Sequence, residues 1–215
     1  MTSPALVSTR NDSRFRRAGL PGWWLAPVLL LFWLHYGGFG IWWREDDFSL
    51  FGFVRQAGSF HEFLNVLFSP YAQGTIRPWS ERVPFLLTAL FFGTDCLPLR
   101  IAVFCTAAAD LLLIAWVVRR MTESRMAALA AACFWAASPA IVSPMTWNSS
   151  YNEVQSPLFL LGALALFIRY AESGKTRFWW WQVLVFISGF GSLENNVVYP
   201  ALAAAWALFM GPRQA

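Results

Sequence analysis

Three consecutive carboxylates, Glu45-Asp46-Asp47, stand where the first long hydrophobic run of this 215-residue chain meets water, in the stretch Trp42-Trp43-Arg44-Glu45-Asp46-Asp47-Phe48. A carboxylate at such a boundary can take a proton from a reacting hydroxyl, or hold a cation, at the depth where a lipid presents its headgroup. The plainer role is a polar stop that ends a helix. Arg77, Arg82, Glu153 and Glu194 lie at the ends of other apolar runs or in the first long polar interruption. Carboxylates that accept a proton and arginines that stabilise a departing phosphate would share the work of group transfer from a phospholipid carrier. On residue types alone the same set is equally ordinary interfacial charge.

The elements that must position these residues are apolar. With 57% hydrophobic, 18% aromatic and 13% charged residues, the chain is too apolar for a soluble domain of its length and reads as an all-α, polytopic transmembrane helical bundle. Cys96, Cys105 and Cys133 are odd in number, and His35 and His61 stand apart. Neither a disulfide framework nor zinc-ligand spacing is present, so no metal is expected; no Gly-rich phosphate loop of the P-loop kind is present, and no cofactor is expected. The net charge of +4 bears on topology through its distribution and gives no reason to expect nucleic acid.

About six spans are expected, near residues 23–43, 98–118, 125–141, 154–170, 178–190 and 197–210. A polar tail, 1–22, carries Arg10, Arg14, Arg16 and Arg17 like the flank of an uncleaved signal segment, and 212–215 is a second tail. Trp23-Trp24 and Trp42-Trp43 bracket the first span and Trp179-Trp180-Trp181 opens the fifth, as indole rings do at headgroup level. In the outer loop, 44–97, the capping box Ser59-Phe60-His61-Glu62 starts a short amphipathic helix that ends before Ser69-Pro70. Arg77-Pro78-Trp79-Ser80 opens a second helix, 81–92, stopped by Gly93. Ser124 caps the third span, which Pro139 and Pro144 kink or end. Asp110 lies inside the second span, where it must face other helices and find a partner or be protonated. Asn148-Ser149-Ser150 is a formal glycosylation sequon too close to the membrane for modification to be expected.

Of the 16 basic residues, eleven fall on one side of these spans and five on the other. The positive side is cytoplasmic, so both termini are expected inside and Glu45-Asp46-Asp47 outside.

The order of features is similar to the start of a known family. A first span ending in an acidic pair, interfacial helices, Arg-Pro before Leu86-Leu87-Thr88-Ala89-Leu90-Phe91-Phe92-Gly93, then Pro98-Leu99-Arg100-Ile101-Ala102-Val103-Phe104 and a span ending Arg119-Arg120 resemble the GT-C glycosyltransferases. The likeness is to the protein O-mannosyltransferase and lipid A aminoarabinose transferase group, which use polyprenyl-phosphate sugars. It runs from Trp23 to Met210 and corresponds to the amino-terminal half of such enzymes. The resemblance implies a bacterial inner-membrane module that moves a sugar from a polyprenyl-phosphate donor to an acceptor on the outer face, with inversion. Asp46 and Asp47 match the catalytic acidic pair, with Glu45, Arg77, Arg82, Glu153 and Glu194 about the substrate. Membrane lipid and lipid-linked sugar are the implied partners, with a second polypeptide to complete the site. Where the family has Lys-Glu or Lys-Gly-Pro, this chain has Ser192-Leu193-Glu194-Asn195. That departure keeps open a non-catalytic scaffold or assembly subunit as the alternative.

Overall fold

The computed structural model describes residues 22–71 and 74–210. The basic flank with Arg10, Arg14, Arg16 and Arg17, and the closing segment with Arg213, lie outside the described residues. Among the described residues every regular element is helical, and the one β-bridge pairs Tyr71 with Thr75.

Helix α1, Leu25–His35, is extended at both ends by 3-10 turns, Gly22–Trp24 and Tyr36–Gly40. The glycine-rich Tyr36–Gly40 turn loosens the α-helix, and Gly38 lies so close to the Met145 carbonyl that a Cβ would strike it. The chain then runs on in extended form from Ile41, so the helical part of the first expected span stops at Gly40, short of Trp42-Trp43. The two tryptophan pairs divide their labour. Trp42 is exposed, but Trp24 and Trp43 are core residues; Trp43 Nε1 donates to the Thr94 carbonyl at 2.7 Å and its ring meets Phe51 edge-on.

Helix α2, Asp46–Gly52, begins with the acidic pair and passes through a 3-10 turn, Phe53–Gln56. Helix α3, Phe60–Phe68, is capped as the sequence predicts: Ser59 Oγ accepts from Glu62 N at 3.3 Å. It buries Val66 and Leu67 and exposes Phe60 and Phe68. Before helix α4, Val83–Phe92, comes a π-helical turn, Pro78–Arg82. Glu81 N still donates four residues back to the Arg77 carbonyl, but Pro84 has no amide hydrogen to give to Ser80, and Val83 N donates five residues back to the Pro78 carbonyl.

Helices α5, Leu97–Thr122, and α6, Arg125–Ala136, follow, with Ser124 Oγ capping α6 at Ala127 N. Pro139–Ile141 and α7, Val142–Thr146, then bend away from α6 by 51°. A 3-10 turn, Asn148–Tyr151, leads into α8, Asn152–Ser173. Helix α9, Thr176–Gly189, a further 3-10 turn, Glu194–Val198, and α10, Tyr199–Met210, complete the described chain.

Two helical runs, Leu97–Thr122 and Asn148–Ser173, are long and apolar enough to cross a membrane, and the bent α6–α7 pair makes a third. This is consistent with membrane association. The expectation of six spans is met only in part, because α1, α9 and α10 have 11, 14 and 12 residues, fewer than the roughly 20 that cross a hydrocarbon core as α-helix.

The core is built on small residues. Ala128, Ala132 and Ala136 recur every fourth position on α6, all fully buried, and with Ala107 and Ala115 of α5 they let helix backbones pack closely around Leu31, Val103 and Leu111. A second cluster joins Val117 to Ala163, Ile168, Tyr199 and Trp206. Asp110 is fully buried beside the first cluster, facing helices as expected, and neither of its oxygens has a hydrogen-bond partner among the described residues.

Candidate functional site

At the end of the bundle that carries residues 41–50, a cleft of about 360 Å³ opens between α2, residues 71 and 75–81, and the turn that starts α8. Asp46, Arg77, Glu81, Trp147, Ser149 and Glu153 line it, with Leu50, Tyr71, Thr75, Ser150 and Asn152 between them. The lining carries three carboxylates against one arginine. Aromatic rings, hydroxyls and carboxylates in one concave surface suit a polyhydroxylated ligand, with stacking from the rings and hydrogen bonds from the rest.

The three acidic neighbours separate sharply. Glu45 is exposed, at a φ of 41°, with Arg44 4.0 Å away. Asp46 is exposed in the first turn of α2, and no hydrogen bond or ion pair among the described residues engages its carboxylate. Asp47 is fully buried and accepts four hydrogen bonds: from Arg44 N at 2.9 Å, Asn148 Nδ2 at 3.2 Å, Ser149 N at 2.7 Å, and Ser149 Oγ. The bond from Arg44 N closes a local turn just before α2, whose first turn favours negative charge. Arg100, also fully buried, adds a positive charge nearby while its Nη1 donates to the Pro144 carbonyl at 3.1 Å. Asp47 thus fixes the Trp147–Ser149 segment that forms one wall of the cleft. The sequon asparagine, Asn148, is fully buried in this network, which closes it to glycosylation.

The two arginines expected about a substrate are placed differently. Arg82 is 1% exposed. Its guanidinium lies 4.2 Å from the Phe53 ring centre and 4.9 Å from that of Tyr71, donates to the Val66 carbonyl at 3.3 Å, and approaches Glu81 at 3.4 Å. Burial pulls it below the usual arginine pKa, against the opposing charge of Glu81. It organises the loop and does not line the cleft. Arg77 does line the cleft. Its Nη1 donates to Glu81 at 2.9 Å, while Nε and Nη2 donate to the two oxygens of Glu194 at 3.3 and 2.8 Å. Burial lowers the Arg77 pKa, but the bonds to Glu194 and Glu81 outweigh it and the net shift is upward. Glu194 is correspondingly held below the ordinary carboxylate value, first by its bond to Arg77.

Glu153 lines the cleft from the first turn of α8, and Glu194 reaches its rim through Arg77. Glu81 escaped the sequence reading, although its i,i+4 spacing from Arg77 is the signal that could have found it. Trp147 carried no signal, and Ser149 none beyond the sequon. Among the described residues no group of three His, Cys, Asp or Glu side chains could hold a metal ion. Comparisons of the chain with protein-family models, with curated proteins and with solved structures find no match.

Proposed function

We propose that the chain is a membrane glycosyltransferase module that moves a sugar from a polyprenyl-phosphate donor to an acceptor hydroxyl on the outer face of a bacterial inner membrane. In this reading the helical segments 22–40, α5, α6–α7, α8, α9 and α10 are its spans, the termini are cytoplasmic and the cleft opens outside. The first span is assigned to residues 22–40, α-helical in the middle and 3-10 at both ends, with the backbone leaving helical geometry at His35. The observation that carries the function is an unengaged carboxylate, Asp46, in a cleft that also holds an arginine, hydroxyls and an indole ring. Asp46 takes the proton of the acceptor hydroxyl as its oxygen bonds to the anomeric carbon, the bond from that carbon to the phosphate oxygen breaks, and polyprenyl phosphate leaves. Attack opposite the leaving group inverts the anomeric centre. Arg77 stabilises the charge on the departing phosphate. Asp47 acts through the wall it fixes.

The chain in native membranes, supplied with labelled lipid-linked sugar, should release label, and Asp46→Asn should lower the rate by about two to four orders of magnitude with unchanged unfolding temperature. Glu45→Gln should be mild. Undiminished transfer by Asp46→Asn removes the base. A second reading, a non-catalytic scaffold, is favoured by the internal use of Asp47, Arg82 and Glu194. It gains if a second polypeptide restores transfer equally with Asp46→Asn and the unaltered chain.

A further inference from the structure

The strap between α9 and α10 is tied to the cleft rim at four places, and only one is made of charge. Trp79 N donates to the Gly191 carbonyl at 3.0 Å, Ser80 Oγ to the Ser192 carbonyl at 2.9 Å, and Ser192 Oγ to Gln155 Oε1 at 2.6 Å. Ser80 and Ser192 are fully buried. The fourth tie is Glu194, whose side chain is 57% exposed and grips the Nε–Nη2 edge of Arg77 with both oxygens. The remaining Arg77 nitrogen, Nη1, is held by Glu81, whose side chain is only 11% exposed.

Every guanidinium nitrogen of Arg77 is therefore engaged by a carboxylate. The edge that Glu194 fills is the fork by which a guanidinium takes two oxygens of a phosphate. An anion that enters the cleft meets Asp46, Glu81 and Glu153 against this single, already neutralised cation. Attraction requires that one carboxylate leave. Glu194 is the one able to go, since it is exposed and the three neutral ties hold the strap without it.

We propose that Glu194 is an internal stand-in for an anionic headgroup: a phosphate ester displaces its carboxylate from the Nε–Nη2 edge of Arg77, and the pair re-forms when the phosphate departs. The inference rests on the reading of the cleft as a site for a lipid-linked phosphate. It changes the role of Glu194 from substrate contact to competitor. Exposed ion pairs are weak, so the competitor costs the ligand little affinity yet keeps the arginine paired and oriented between encounters.

The test is calorimetric titration of the full chain in detergent with farnesyl phosphate and, separately, with inorganic phosphate. Glu194→Gln and Glu194→Asp should bind farnesyl phosphate about two- to fivefold more tightly than the unaltered chain, with unfolding temperatures measured in parallel. Arg77→Met should weaken binding at least about tenfold, alone or with Glu194→Gln. The same ranking with inorganic phosphate supports the stand-in and identifies the bare anion as sufficient, whereas the ranking with farnesyl phosphate alone supports it for a lipid headgroup. Unchanged or weaker binding by both folded Glu194 variants, with loss on Arg77→Met, overturns the stand-in and leaves the phosphate site intact. Binding indifferent to Arg77→Met, or no binding of either probe, overturns the site and the stand-in with it.

Discussion

The seat of Asp47 and the wall of the cleft lie on two sides of one short segment, Trp147-Asn148-Ser149, and they hold their carboxylates in opposite ways. On the inner side four donors converge on Asp47, two of them main-chain amides, and Arg100 adds a buried charge. On the cleft side Asp46 and Glu153 have no such partners among the described residues. A saturated carboxylate is a structural part, because to protonate or remove it leaves several buried donors unmet. An unsaturated one is available to a ligand. Two neighbours of identical chemistry therefore differ in use only through what the fold brings to each.

The two carboxylates should differ most in stability. Asp47→Ala should cost about 2–4 kcal/mol, since it leaves the Arg44 and Ser149 amides, the Ser149 hydroxyl and the buried Asn148 side chain without their acceptor, whereas Asp46→Ala should stay within about 0.5 kcal/mol. Unfolding in detergent, followed by tryptophan fluorescence, measures both; equal losses would erase the distinction. Next, Arg82→Met should cost roughly 2–3 kcal/mol through the stacking on Phe53 and Tyr71 and the bond to Val66. Lysine should not rescue it, having no planar face. A loss that lysine does rescue would make Arg82 a simple charge. Gly191→Ala should cost roughly 1–3 kcal/mol, because a Cβ there strikes the Trp79 ring. Trp79→Ala should relieve much of that cost in a double-mutant cycle. Independent effects would show that the strap does not seat on Trp79.

The smallest effect is electrostatic. Glu194 has its pKa depressed below 4.5 by Arg77, so its pair contributes stability above that pH and loses it as the pH falls through the depressed value. Because the side chain is more than half exposed, the change should be at most about 0.5 kcal/mol. Glu194→Gln should flatten that part of the acid limb of the stability curve.

The helix starts were legible because capping is local: Ser59 and Ser124 each bond an amide three residues on. The bend after α6 was legible in Pro139. The π-turn was not: Pro78 and Pro84 mark the segment, but nothing in their spacing says that Val83 N reaches five residues back to the Pro78 carbonyl. At the site the residue types were readable but their pairing was not. Asp47 meets Ser149 across 102 positions and Arg77 meets Glu194 across 117, and no spacing rule reports on such distances. The lengths of the spans misled for a similar reason. A run of apolar residues fixes hydrophobicity, while the glycines of 37–40 decide where the helix stops.

Helices α3 and α4 have a consequence for the bilayer itself. Helix α4 is about 15 Å long; the turn before it carries Glu81 into the cleft, and Thr94 just beyond it accepts from Trp43. The helix exposes Leu87, Leu90, Phe91 and Phe92, as α3 exposes Phe60, Leu64 and Phe68. On the proposed topology these side chains would add volume to the outer leaflet, and a wedge in one leaflet relieves packing stress where that leaflet is convex. Reconstituted into vesicles of graded diameter with the cleft outward, the chain should favour the smallest, so that membrane shape as well as composition governs where it collects.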